Sequence, residues 1–284
     1  MINRFRQNVR AFKVGTWLGW QIESNWTNPV LYVLFVVSRP LASALILALM
    51  YKVIAHSGGS DDLFAYIFVG ASVYALVGQL MEGMSWAVLE DRERMGMLKY
   101  ISLAPSSLYA YLLGRGVAKV LGSLIAVPII LALGAVFFDL PVSWQSINLP
   151  MLTVALLLGI VMISFAGLIL AGITMMVARH GGFLGMAVAG ALFIFTGAIF
   201  PITVLPGWMQ TIARGLPLTY WLEAMRRALL DGARGPGFES LGDGRLLLIL
   251  AGLTLITALI SLPLEAWAEH RAKEKGLLDM NTAY

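Results

Sequence analysis

PITVLPGWMQTIARGLPLTYWL, residues 201–222, is the stretch on which the reading of the whole chain turns. It is apolar enough for a membrane, yet Pro201, Pro206, Gly207, Gly215 and Pro217 interrupt it. A straight crossing helix does not tolerate that density of breakers, because each proline lacks a backbone N–H and crowds the preceding turn. Two short helices that dip into and out of one leaflet satisfy the pattern, provided the broken backbone is buried against protein. An ordinary long loop is the competing reading, and the apolar content argues against it.

The composition around this stretch supplies the membrane. Of 284 residues, 59% are hydrophobic and 13% charged, with a mean hydropathy of +0.80. A soluble domain carries about 45–50% apolar and about 25% charged residues, so a water-soluble enzyme is excluded and so is a disordered chain. At about 20 apolar residues per helical crossing, the sequence predicts six spans, near 30–54, 64–88, 113–137, 150–177, 183–200 and 245–267. They are expected to be helical because hydrocarbon offers no partner to an unpaired backbone group. Pro128 and Pro263 predict kinks in the third and sixth spans.

Residues 1–29 carry Arg4, Arg6, Arg10 and Lys13, followed by Trp17, Trp20 and Trp26. No apolar core follows closely, so this reads as an interfacial helix rather than a cleavable signal peptide. Lys and Arg then concentrate in alternate loops: Arg92, Arg94, Lys99, Arg115 and Lys119; Arg179; Arg271, Lys273 and Lys275. The positive-inside rule therefore places both termini in the cytoplasm. It also accounts for the net charge of +4 without a nucleic-acid partner. Arg214, Arg226, Arg227, Arg234 and Arg245 run against the bias, on the outer side.

Most chemistry is excluded. Zero cysteines remove disulfides and thiolate sites, and His56, His180 and His270 are too far apart for a metal cluster. No G-x-x-x-x-G-K-[ST] is present to cradle a nucleotide. No histidine lies at membrane depth for serine proteolysis, and Glu82 is the one carboxylate well inside a span, where an aspartyl protease needs two. Arg39 and Glu82 lie about 14 Å and about 9 Å deep at 1.5 Å per residue. Similar depths on successive helices suggest an intramembrane ion pair; the alternative is that each snorkels separately to the interface. Between spans two and three, residues 89–115 mix Glu90, Asp91, Arg92, Glu93 and Arg94, turn apolar at Met97, Leu98 and Ile101, and break at Pro105. A short helix along the inner face fits, as does a solvated linker.

Two blocks resemble the permease subunits of ABC type-2 exporters. DRERMGMLKYISLAPSS (91–107) is similar to the family's charged–Gly–Leu–x–x–(Leu/Ile)–x–x–x–Pro segment. TGAIFPITVLPGWMQTIARGLPLTYWLEAMRRALLDG (196–232) is similar to its block of Phe-Pro, Leu-Pro-x-Trp, Leu-Pro and a later Glu-x-x-Arg. Lys99 and Met97 depart from it, standing where an acidic residue and a Thr are common.

The resemblance implies an all-α permease domain over 1–284, with a connecting helix at 1–29, six membrane helices and a cytoplasmic tail at 268–284. It implies a coupling segment at 89–112, its helix made from 91–105, whose ATPase contacts would be Asp91, Arg92, Glu93, Arg94, Met97, Leu98 and Ile101. It further implies re-entrant extracellular half-helices at 201–222, marked by Pro201, Pro206, Trp208 and Pro217. Glu223 is spaced to pair with Arg227 at i,i+4. Phe193, Phe195, Thr196 and Phe200, assigned to the inner end of span five and the half-helices, become translocation-path candidates; lipid-facing or bundle packing explains them equally well.

The implied assembly is a homodimer, or a pair with a close paralogue, in a prokaryotic cytoplasmic membrane. Two copies of a separate P-loop ATPase would bind ATP and Mg2+, so this chain is neither an enzyme nor a cofactor carrier. The implied activity is export of a hydrophobic or amphipathic drug or lipid. A lipid-linked polysaccharide is the alternative substrate. An ATP-independent secondary transporter or channel, and a non-transporting sensor or scaffold, are the alternatives from other classes.

Overall fold

A computed structural model describes residues 2–25, 28–55, 61–140, 142, 145 and 147–280. The described chain is helical, with no strand. The helices are α1 (Ile2–Ser24), α2 (Pro29–Ala55), α3 (Asp61–Leu89), α4 (Leu98–Leu103), α5 (Leu108–Phe138), α6 (Leu149–Met176), α7 (Gly181–Phe195), α8 (Gly207–Gly215), α9 (Pro217–Leu229) and α10 (Asp243–Glu274).

Among the described residues, four helices are long and apolar enough to cross a membrane: α3 with the turn that extends it to Arg94, α5, α6 and α10. The bent pair within α2 counts as a fifth if it is one span. At 15 residues, or about 22 Å, α7 is shorter than the roughly 30 Å hydrocarbon core. The fifth predicted span, 183–200, therefore ends early. Its helix stops at Thr196, and Gly197 turns the chain with φ of 71° ahead of Phe200-Pro201.

Burial orders the helices. In α3, 67% of the apolar window is buried, against 22% in α10, so α3 is central and α10 peripheral. The second, third and fourth predicted spans agree with α3, α5 and α6 to within a turn or so. The sixth runs a further two turns, to Glu274, so much of the predicted tail is helix. Glu265 on α10 is fully buried against Gly172 of α6, a buried carboxylate that the sequence reading did not single out. Glu82 itself is half-buried on α3; the side chain of Arg39 lies outside the described residues.

One membrane-length segment among the described residues is broken by more than 40°, and it holds neither predicted proline: α2, with 43° between Val30–Ser38 and Pro40–Tyr51. Pro40 has no N–H for the Val36 carbonyl four residues earlier. Gln79 of α3 supplies the donor instead, Nε2 to Val36 O at 3.3 Å. This repair of a freed carbonyl from a neighbouring helix is how a transmembrane helix tolerates proline.

Connections divide the bundle into two ends. At one lie α4, the start of α5 and α7, and the ends of α3, α6 and α10. Asn8 of α1 reaches it by accepting the Ser107 N–H (3.0 Å), and the 277–279 turn reaches it through Asp279 and Lys99. At the other lie α8, α9 and the opposite ends of the same spans. Both the first and the last described segments thus gather at the α4 end. α1 packs along α5, where Gly15 and Gly114 face backbone: a Cβ on either would overlap the Tyr111 or Phe12 carbonyl. Its other faces expose Arg4, Arg6, Arg10 and Lys13 beside Phe5 and Trp17.

Candidate functional site

At the α4 end the predicted 91–105 helix does not form as one piece. Glu90–Arg94 is a π-helical turn that continues α3, closed by Met95 N–H to Glu90 O and Met97 N–H to Asp91 O, both 2.8 Å. Gly96 then adopts φ of 60°, and only Leu98–Leu103 resumes as helix. The reason is electrostatic. Asp91 and Arg92 are buried, and each finds partners inside the bundle, although Asp91 Oδ1 and Arg92 Nε make no hydrogen bond. Tyr111 of α5 donates to Asp91 Oδ2 at 2.9 Å, and Arg115 Nη2 lies 3.4 Å from Asp91 Oδ1 and 3.0 Å from Glu90 Oε2. Arg92 donates to the Val177 carbonyl at the end of α6 (3.0 Å) and to Glu93 (2.7 Å). One turn further along α5, Lys119 pairs with Glu23 of α1.

The coupling candidates therefore split. Asp91, Arg92 and Leu98 point inward; Glu93, Met97 and Ile101 are half-buried; Arg94 is exposed. The outward surface of α4 is instead Tyr100 and Leu103, 66% and 79% exposed, followed by Ala104 and Pro105. Tyr100 and Leu103 were not among the sequence candidates, although their three-residue spacing puts them on one helical face.

At the opposite end, the 201–222 stretch forms two short helices. The helical turn Ile202–Val204 follows Pro201, Pro206 caps α8, and Pro217 opens α9, the position where a missing N–H costs nothing. Thr219 Oγ1 donates to Ala213 O (2.7 Å) and Tyr220 OH to Arg214 O (2.9 Å), so carbonyls at the end of α8 are satisfied by α9. Trp208 and Ile212 are exposed on α8. From Leu218 onward, apart from Tyr220, α9 is buried.

The buried face of α9 includes Glu223, Arg226 and Arg227. Arg227 Nε donates to Glu223 Oε1 at 2.8 Å, the i,i+4 spacing read from the sequence, with both side chains fully buried. Its remaining donors reach the Phe238 carbonyl (2.9 Å), the Leu241 carbonyl (2.6 Å) and Asp243 Oδ1 at the start of α10 (2.9 Å). Glu223 Oε1 also accepts the Gly235 N–H at 2.9 Å. Among the described residues, Arg226 forms no ion pair to a carboxylate. Its Nε donates to Tyr66 O (3.0 Å), its Nη2 to Gly197 O and Ala198 O (2.8 and 3.0 Å), and the guanidinium stacks 3.7 Å from the Tyr66 ring centroid. Carbonyl dipoles and a π face substitute for a counter-ion.

Gly70 of α3 leaves room for this cation: a Cβ there would overlap Arg226 Nη2 and Ala198 O. Gly70→Ala is expected to lower the thermal midpoint of detergent-purified protein, at a cost of about 1–3 kcal/mol for overpacking. Gly78→Ala on the same helix meets nothing within 4 Å and is the control expected to hold or gain stability.

The path candidates also fall at this end, not at the inner end of span five if α4 is cytoplasmic, because α7 runs from the α4 end toward α9. Phe193 packs on Tyr74 (4.9 Å) and Phe195 on Trp208 (6.2 Å). Thr196 is buried and donates to Leu192 O (2.6 Å), closing α7, while Phe200 is half-buried. Tyr66 and Tyr111 escaped the sequence reading, and Arg115, counted there as a loop charge, is buried within α5; their partners are distant in the chain, and no local spacing reports them.

A search of curated proteins returned no match. The family model described as ABC-2 type transporter matches residues 11–230, from within α1 to just past α9, and the chain belongs to that family as a membrane permease component.

Proposed function

We propose that this permease is the membrane half of an ATP-driven exporter whose ATPase subunits dock on α4. The supporting observation is the outward surface of α4: Tyr100 and Leu103, exposed beside Arg94 and Lys99, on a helix of six residues outside the membrane-length spans. On this view ATP and Mg2+ are handled by a separate P-loop subunit, in keeping with the lack of a phosphate-cradling motif in these 284 residues. In this reading α4 is cytoplasmic, α7 completes six crossings, and α8 and α9 are re-entrant from the outer face. The permease works as a homodimer or with a close paralogue, with two ATPase copies, in a prokaryotic cytoplasmic membrane. Its cargo is a hydrophobic or amphipathic drug or lipid taken from the cytoplasm or inner leaflet.

Aromatic anchors carry much of an interface's energy, about 2 kcal/mol or more when truncated. Tyr100→Glu/Leu103→Glu is therefore expected to insert normally but lose co-purification of the P-loop ATPase encoded by an adjacent reading frame. Undiminished co-purification would sink docking on α4. For the cargo, ATP hydrolysis by the purified complex is measured across a panel of lipids, drugs and glycolipids. Stimulation by glycolipids alone would favour the polysaccharide-type substrate.

A further inference from the structure

α4 is bounded by two places where the chain can pivot, Gly96 with φ of 60° and the extended Ala104 before Pro105. Six residues are too few to hold a helix without tertiary support. That support comes largely from the other end of the sequence. α10 runs on to Glu274, and Gly276, with φ of 65°, turns the chain back in a glycine C-cap, its N–H bonded to Lys273 O at 3.1 Å. Leu277 and Leu278 are thereby buried in the same apolar cluster as Leu98 of α4 and Met175 of α6. Asp279 accepts from Lys99 Nζ near the start of α4, and Lys273 Nζ donates to the Ser102 carbonyl near its end (3.0 Å). The Asp279 carboxylate also holds the Lys99 ammonium above its ordinary pKa, so Lys99 stays charged at neutral pH.

We infer that Lys273–Asp279 is a strap that ties α10 to α4, so that movement of α4 reaches the α6–α10 pair directly and not only along α3 and α5. The inference rests on the reading of α4 as the docking element. Lys99, Lys273 and Asp279 are then positioning residues for energy transmission.

The chain contains no cysteine, so nitroxides can be placed on Phe137→Cys and Leu248→Cys, exposed positions on α5 and α10 at the end remote from α4. The distance between them is read by pulsed EPR in the permease–ATPase complex, without nucleotide and after trapping with ATP and vanadate. A nucleotide-dependent shift is expected in the otherwise unaltered chain. Asp279→Lys, which sets an ammonium against that of Lys99, is expected to lose that shift while keeping ATPase co-purification and ATP hydrolysis. The conservative Asp279→Glu, which keeps the carboxylate and leaves the docking face untouched, is expected to retain it. The Asp279 side chain is largely exposed, so folding is not at stake. A full-sized shift in Asp279→Lys, or no shift in the unaltered chain, overturns the strap. Failure of the ATPase to co-purify with the unaltered chain overturns the docking reading and the strap with it.

Discussion

Arg227→Met is expected to leave little folded protein. The guanidinium holds Glu223 within α9, two carbonyls of the 230–242 connection and the first turn of α10 through Asp243. Methionine fills a similar volume but supplies no donor. The Glu223 carboxylate is then left fully buried with only the Gly235 N–H. Removing one partner of a buried pair costs about 3–5 kcal/mol, a large share of the roughly 5–15 kcal/mol that holds a domain together. Asp243, whose side chain is 47% exposed, can return to water and adds little. The double variant Glu223→Gln/Arg227→Met should recover much of the loss, since glutamine still accepts from Gly235 and carries no charge to strand. Gel filtration of detergent extracts, with thermal midpoints for whatever is soluble, compares the two. A double variant no better than the single would mean that the pair is not the source of the cost.

The contrast between the two arginines marks where sequence reading reached and where it stopped. Glu223 and Arg227 are four apart on a helix, a local relation that spacing alone predicts. Arg226 is seated on Tyr66, Gly197 and Ala198, which are brought to it by α3 and α7; nothing within a turn of Arg226 announces them. The same distinction separates the spans from their ends. α5 and α6 were legible because a long apolar run in lipid has only one way to satisfy its backbone. The 89–107 segment was not, because its charges suit a solvated helix as well as a buried turn. The choice was made by Tyr111, Arg115 and the Val177 carbonyl, all remote in sequence or on another element. Proline carried a similar ambiguity. Pro40, Pro128 and Pro263 all lie inside helices, and the 43° bend is in the helix of Pro40.

Gly159 and Trp221 should be inseparable in a mutant cycle. The Trp221 indole is fully buried and enters α6 where Gly159 has no side chain, its Nε1 donating to the Ala155 carbonyl at 2.9 Å. A Cβ on Gly159 would overlap the ring itself, at Nε1, Cε2 and Cδ1. The close approach fixes α9 against α6, which in turn sets where Glu223, Arg226 and Arg227 meet their partners. Trp221→Leu empties part of a packed site and is expected to cost about 2–5 kcal/mol. Gly159→Ala pushes the indole out of its seat at about 1–3 kcal/mol. Together the losses should not add, because a leucine leaves room for the methyl that the indole forbids, and neighbours in contact couple by about 0.5–3 kcal/mol. Trp221→Phe, which keeps most of the bulk and loses only the hydrogen bond, should cost about 1 kcal/mol. Thermal midpoints of the four purified variants test the set. Strict additivity of Gly159→Ala and Trp221→Leu would mean that the ring does not occupy the glycine notch.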